Sequence, residues 1–393
     1  MNNIRKTFKT LRKELREAPD TPLLIISTLL VFAGILVLAS VSSSFALQKT
    51  GNSFFYLNHQ IIVGLIPGLL GALICYGIPL PLFRKISFIL LAISIVLLVL
   101  VFFPGIGSFH GGANRWIFIG PYSFQPSEAL KLTAILYMAS WLTARIKPSR
   151  KASQGTPKRQ LESSHSVREV FIPFIVVMGV VGALLMAQPD MSTFGIIATT
   201  SLIMYFVSGT AFWQSLLIAG GGISALFLLV QLAPYRISRL AVFLDPSSDP
   251  LGKGYQVKQA LIGIGSGGLS GIGLGLSFQK FGVIPEPISD SIFAVFAEEA
   301  GFIGATMLIA LFIAFGWRSF LIASRAKDDF ARLVAIGIAS WILLQTFINM
   351  SSMIQLLPLT GIPLPFISYG GSALVIELIA LGILLNISKH AKT

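Results

Sequence analysis

The segment IPEPISDSIFAVFAEEAG, residues 284–301, holds Glu286, Asp290, Glu298 and Glu299, a quarter of the 16 acidic residues in a chain of 393. A carboxylate can take a proton, neutralise a buried base or hold a cation, and its position decides which. Pro285 and Pro287 keep the chain extended up to Ile288, because a residue before proline avoids the helical region. The sequence therefore predicts a helix from about Ser289, with Asp290 in its first turn at the membrane surface. Glu298 lies about 12 Å deeper at roughly 1.5 Å per residue. A carboxylate inside a membrane is costly unless paired, so Glu298 and Glu299 read as structural or tuning residues, neutral or held by a buried base or backbone. Asp290 has less to hold together and reads as the carboxylate that does chemistry.

A second cluster lies in GGANRWIFIGPYSFQPSEALKL, residues 111–132. Arg115 and Trp116 fall in a loop, and Gln125, Ser127, Glu128 and Lys131 open the span that follows. Glu128 and Lys131, at i and i+3, share a helix face and can neutralise each other. Arg115, Lys131 and the bases Arg236, Arg239 and Lys253 form a set of cations suited to a phosphate or pyrophosphate. One candidate base, several cations, a glycine-rich segment and apolar grooves suit a lipid-linked pyrophosphate, its sugar in water and its tail in the bilayer.

The elements that must position these residues are membrane helices. Hydrophobic residues make up 54% of the chain and charged ones 11%, against about 45–50% and 25% in soluble domains, and the mean hydropathy is +0.81. Spans need about 20 apolar residues. Ten are read, at roughly 23–42, 60–78, 86–103, 127–144, 170–188, 191–208, 211–233, 290–315, 333–355 and 366–387. The fold expected is an all-α polytopic membrane protein with a long, partly re-entrant outer loop, 234–289, between helices 7 and 8. A basic arm, 1–21, precedes a single ten-helix domain over 22–388, a polar loop spans 145–169, and a tail covers 389–393.

The net charge of +13 is an orientation signal rather than a nucleic-acid footprint. Of 29 Lys and Arg, 21 fall on one side: six in the arm, two at 84–85, seven from Arg145 to Arg168, four from Arg318 to Arg332 and two in the tail. The positive-inside rule then places both termini in the cytoplasm. The single cysteine, Cys75, excludes a disulfide framework, and the four scattered histidines form no HExxH pair. GIGSGG, residues 263–268, fits G-x-G-x-x-G, but no strand precedes it and no βαβ unit surrounds it. Its glycines read instead as permitting tight turns and close backbone approach. Thr21 reads as a helix N-cap with Pro22 at the first helical position, and the apolar run after it is too long for a signal peptide.

GANRWIFIGPYSFQPSEALKL, QPDMST (188–193), DPLGKGYQVKQALIGIGSGG (249–268), IPEPISDSIFAVFAEEAGFIGA and LPLTGIPLPFISYGGSA (357–373) resemble, in order, motifs of the SEDS family (shape, elongation, division and sporulation). The resemblance covers most of residues 20–390. It implies a ten-span bacterial cytoplasmic-membrane glycosyltransferase that polymerises lipid II, the undecaprenyl-pyrophosphate-linked disaccharide pentapeptide, into glycan strands at the outer face. It implies as partners a class B penicillin-binding transpeptidase and membrane proteins of the divisome or elongasome. The short run from Gly275 to Pro285 is similar to the FtsW/SpoVE division branch. The family's essential aspartate falls on Asp290, its arginine-tryptophan pair on Arg115 and Trp116, and its span-four lysine on Lys131. The substrate-binding set is taken as Arg115, Trp116, Gln125, Ser127, Glu128, Lys131, Lys280 and Glu286, with Ser368 in the tuning set beside Glu298 and Glu299. The family's P-E-x-H-T-D-F pattern is broken here by Ile288, Ser289 and Ser291, which removes a histidine able to hydrogen-bond the aspartate.

The chemistry implied joins a sugar hydroxyl to an anomeric carbon and expels a lipid pyrophosphate. Asp290 takes the hydroxyl proton, and cations, with a divalent Mg or Mn ion as an option lacking a visible ligand set, steady the leaving group. Two other readings stand beside it. A flippase would use Glu298, Glu299 and Glu377 as a proton relay. A scaffold that only recruits cell-wall partners would leave Asp290 without a role.

Overall fold

A computed structural model describes residues 18–110, 113–120, 122–145, 167–231 and 234–391. Most of the basic arm, the centre of the 145–169 loop and residues 392–393 lie outside the described residues. Twelve helices follow in order: α1 (Thr21–Thr50), α2 (Phe55–Gly77), α3 (Leu80–Leu100), α4 (Pro126–Arg145), α5 (Glu169–Ala187), α6 (Met191–Val207), α7 (Phe212–Gln231), α8 (Pro234–Leu244), α9 (Lys253–Ser266), α10 (Ile292–Ser324), α11 (Asp329–Met353) and α12 (Gly371–Lys389). Among the described residues seven of these, α1, α2, α3, α5, α10, α11 and α12, are long and apolar enough to cross a membrane. Three further predicted spans coincide with α4, which carries Glu128, Lys131 and Arg145, with the 17-residue α6, and with α7.

Helices α11 and α12 form the centre: 78% of the most apolar window of each is buried, against 22–33% for the other five. Helices at the centre meet protein on every side and so can carry polar groups, whereas the outer ones present Leu, Ile and Phe outward. Buried Gln345 and Asn349 lie four apart on one face of α11. Around this pair α12 packs on α2, α10 on α11 and α1, and α4 and α6 on α11.

The structure departs from the sequence reading in three places. A three-stranded antiparallel sheet, β1 (Gly107–His110), β2 (Ala113–Ile119) and β3 (Tyr122–Phe124), stands between α3 and α4, where an all-α reading left a loop. The β-branched and aromatic run Trp116–Ile119 favours the pleat, with Ser108 opposite Trp116 and Ile117 opposite Phe124. Helix α1 is capped one residue early, by Asp20, whose Oδ1 accepts from Leu23 N at 2.9 Å. The same carboxylate takes the Arg318 fork of α10 at 2.8 and 2.6 Å, and Asp20 N donates to Ser388 Oγ of α12 at 3.0 Å, so one residue joins three helix ends.

The third departure concerns α10, which is broken at Gly301, where φ is 66°. The break frees backbone groups that the glycine-rich segment then satisfies. Ile272 N and Gly273 N donate to the carbonyls of Glu298 and Glu299, each at 3.1 Å, and Phe302 N and Ile303 N donate to Gly268 and Leu269 at 2.9 and 3.1 Å. A Cβ on Gly301 would fall 2.2 Å from Gly271 N, so a side chain is excluded by contact as well as by φ. Gly267 and Gly271 serve this approach, where a Cβ would fall 2.3 Å from Ala297 O and 2.1 Å from Glu299 O, and GIGSGG itself ends α9 rather than following a strand.

Candidate active site

Asp290 stands two residues before α10 rather than in its first turn. Ser291 is the reason. Its hydroxyl donates to Pro285 O at 2.8 Å, and its amide, with that of Ser289, donates to Glu286 O at 3.2 and 3.3 Å. This closes a turn in which Glu286 takes a φ of 50°, so the chain is not extended through the two prolines as the sequence suggests. A left-handed non-glycine residue before proline is held only by such surrounding bonds. Glu286 itself is exposed, and its Oε2 accepts from Ser289 Oγ at 3.0 Å.

Every element near Asp290 fixes it. From α11, Asn349 Nδ2 donates to Asp290 O at 2.9 Å and to Ile362 O at 2.8 Å. From α9, Gln256 Nε2 reaches Asp290 Oδ2 at 3.4 Å and Ser291 Oγ at 2.9 Å. Ahead of α12, Ser368 Oγ donates to Ser289 O at 2.5 Å and Tyr369 N to Ile288 O at 2.8 Å, which puts Ser368 directly on the backbone leading into Asp290. Burial lifts the Asp290 carboxyl most, Glu286 lifts it further, and the hydrogen bonds from Gln256 and Ser289 oppose them; the outcome is about 6. A carboxyl ordinarily near 3.9 is thereby moved toward neutrality.

The loop beyond Ile354 links Asp290 to a polar recess. A Cβ at Gly361 would lie 3.8 Å from Asp290 Oδ2. Gly361 lines the recess together with Arg115, Glu128, Lys131, Asp190 and Thr360. The carbonyls of Gln188 and Pro189 occupy the Arg115 fork, with Nε at 2.9 Å from Gln188 O. Lys131 pairs with Glu128 at 2.8 Å, donates to Gln345 Oε1 at 2.8 Å and lies 5.0 Å from the Trp341 ring centre. Gln345 Nε2 in turn holds Pro363 O at 2.9 Å. Gln125 lines the recess and donates to Ser127 Oγ at 3.0 Å, while Ser127 is buried. Arg239 and Lys253 share a smaller neighbouring recess. Burial and the nearby Arg239 lower the Lys253 ammonium, with Asp249 opposing. The side chain of Arg236 lies outside the described part.

Four members of the expected set, Trp116, Ser127, Lys280 and Glu286, do not line the recess. Lys280 is 1% exposed and pairs with Glu299 at 3.1 Å, so it neutralises a buried carboxylate and does not line the recess. Trp116 neighbours Arg115 on β2, but alternate strand residues face opposite ways, and Trp116 is absent from the recess lining. Glu298 accepts from Ser277 Oγ and from the amides of Phe278 and Gln279, each at 3.4 Å. Glu377 accepts from Phe366 N at 2.8 Å. The sequence reading singled out neither Gln256 nor Asn349, Gln345 and Asp190. The i, i+4 amides of α11 were the legible signal, since polar side chains inside an apolar helix need partners. Among the described residues no three His, Cys, Asp or Glu side chains converge, so there is no ligand set to assign to a divalent ion.

The fold and this site define a polytopic helical membrane protein with a charge-lined polar recess beside a carboxylate of raised pKa. The sequence profile of the FtsW/RodA/SpoVE cell cycle proteins matches residues 20–393, and the chain belongs to that family. Stage V sporulation protein E of Bacillus subtilis (strain 168) is 38% identical over 96% of this chain and 99% of that protein. A probable peptidoglycan glycosyltransferase FtsW of Thioalkalivibrio sp. (strain K90mix) is 37% identical over 96% of this chain and 91% of its own length. Among solved structures, one described as the structural coordination of polymerization and crosslinking by a peptidoglycan synthase complex superposes with a TM-score of 0.72 at 26% identity, covering 94% of this chain and 98% of that one. The rod shape determining protein RodA of Thermus thermophilus shares the fold, with a TM-score of 0.67 at 24% identity over 96% and 98% of the two chains.

Proposed function

We propose that this chain is a peptidoglycan glycosyltransferase that polymerises lipid II at the outer face of the cytoplasmic membrane, in the division branch of its family, with both termini in the cytoplasm. The observation that carries the reading is Asp290: a carboxyl near 6, fixed from α9 and α11 and bordering a recess lined by charge. In the reaction an acceptor-sugar hydroxyl gives its proton to Asp290 as its oxygen bonds the anomeric carbon of the donor. The bond from that carbon to the pyrophosphate oxygen breaks, and the lipid pyrophosphate leaves with the bonding pair. A base is most useful when its pKa lies near the working pH, and about 6 suits a carboxylate that must be charged at neutrality yet able to hold a proton. Arg239 and Lys253 are the bases best placed for the leaving anion, because bringing two like charges together is relieved by an anion between them. The partner proposed is a class B penicillin-binding transpeptidase, in keeping with the synthase complex that shares the fold. Purified chain with such a partner and lipid II should form glycan strands; a partnered, folded preparation that forms none contradicts the reading. A proton relay for transport finds no support, because Glu298, Glu299 and Glu377 are each committed to holding a loop or neutralising a base.

The neighbours of Asp290 give a signed prediction. Gln256 favours the charged carboxylate, so Gln256→Ala should raise its pKa and move the acidic limb of the pH–rate profile upward. Glu286 disfavours the charge, so Glu286→Gln should move the same limb downward. A limb that stays put in both variants would show that neither residue tunes Asp290.

A further inference from the structure

Among the described residues, two buried side-chain oxygens of the recess have neither a hydrogen bond nor an ion pair: Asp190 Oδ2 and Thr360 Oγ1. They belong to segments that are already joined, since Ser192 Oγ donates to Thr360 O at 3.0 Å. Asp190 is 6% exposed and its other oxygen is in use, accepting from Thr193 N at 3.3 Å to cap α6. Two of the three recess cations that could neutralise it are engaged. Lys131 is held by Glu128 and Gln345, and Arg115 by two backbone carbonyls. Buried polar atoms in folded proteins are nearly always satisfied, so a recess keeping two unmade bonds is shaped for a ligand that makes them.

The chemistry of the two atoms selects that ligand. Asp190 Oδ2 can only accept, whereas the Thr360 hydroxyl both donates and accepts. A phosphate would meet the carboxylates of Asp190 and Glu128 in the same recess, and a metal ion would meet Arg115, Lys131 and Arg239. A neutral hydroxyl meets neither obstacle: it donates to Asp190, and its oxygen or a neighbouring one accepts from Thr360. We propose that Asp190 and Thr360 form a subsite for a hydroxyl of the lipid-linked sugar, so that the recess reads saccharide while the pyrophosphate lies elsewhere. The proposal rests on the glycosyltransferase reading, and it makes Asp190 a substrate-binding residue, not a second base.

The test measures binding without turnover, in full-length protein carrying Asp290→Asn, with lipid II and undecaprenyl pyrophosphate as the two probes. Asp190→Asn keeps an oxygen to cap α6, because asparagine caps as well as aspartate, but it can replace the free acceptor with an amide donor. Loss of one charge-assisted hydrogen bond should weaken lipid II about tenfold and leave undecaprenyl pyrophosphate, which has no sugar, unchanged. Thr360→Val should weaken lipid II in the same selective way, and Thr360→Ser should restore it. Equal weakening of both probes would overturn the subsite in favour of an anion or structural role. Unchanged lipid II binding in Asp190→Asn and Thr360→Val would mean that water alone satisfies these atoms. If Asp190→Asn fails to fold, the Thr360→Val and Thr360→Ser pair decides. Failure of the underlying reading looks different: the Asp290→Asn parent would bind neither probe.

Discussion

Asp290→Asn should reduce glycan polymerisation by a factor of about 10²–10⁴, the usual contribution of a positioned general base, with lipid II binding and thermal stability close to those of the parent. The amide has the shape of the carboxylate and keeps the turn, because that turn is built from backbone and Ser291 bonds rather than from the Asp290 side chain. What it loses is the capacity to take a proton. Asp290→Glu separates charge from position. It retains the base but moves it by a methylene, out of register with the Gln256 amide that reaches Asp290 Oδ2 at 3.4 Å, so it should retain only a small residual rate. Strand formation by Asp290→Asn at a near-parental rate, in the presence of a functional transpeptidase partner, would remove Asp290 from the proton transfer. The pH dependence supplies a second check. The base works when charged, so the parental rate should fall as pH drops through about 6.

The membrane class and a helix boundary close to Asp290 were legible because they rest on composition and local order, whereas the turn that sets Asp290 two residues before α10 was not. Long apolar runs mark helices, and a proline-rich stretch before an apolar helix marks a boundary. What the sequence could not show is which distant segments supply the partners. Glu299 reads from sequence as neutral or paired, and nothing local points to Lys280 rather than Lys131 as its base, because the two lie 19 residues apart and the proline-containing chain between them must fold back before they meet. From sequence alone Lys280 therefore reads as a substrate-binding base. Gln256 was likewise unreadable as a neighbour of Asp290, being 34 residues away on a separate helix. The missing histidine at position 288 removes a local donor, and the structure shows a hydrogen bond arriving from α9 instead. Ile288 is 5% exposed, and its carbonyl takes Tyr369 N, so its side chain packs and its backbone docks. The break at Gly301 was also hidden, since a glycine in an apolar helix looks the same whether the helix bends or runs straight.

The buried pair that the sequence missed should carry the largest effect on stability. Lys280 and Glu299 are each about 1% exposed as side chains and lie 3.1 Å apart; Ser40 Oγ donates to the second carboxylate oxygen at 2.5 Å, and Gly275 O accepts from the ammonium at 2.5 Å. Lys280→Met keeps the length of the stem but strands the Glu299 charge, and removing one partner of a buried pair costs about 3–5 kcal/mol. Adding Glu299→Gln removes that stranded charge, and the amide oxygen can still accept from Ser40, so the double variant should recover most of the loss. Thermal unfolding in detergent would read both. The sign of the recovery matters more than the size of the first loss, because any truncation of a buried lysine also leaves a packing defect. If Glu299→Gln adds a second loss to that of Lys280→Met, the ammonium is holding the carbonyls of Gly275 and of Ser40, the latter at 3.4 Å, rather than neutralising the carboxylate. Recovery would instead establish that the 267–280 segment is fastened to α10 by charge, a few residues from the turn that presents Asp290.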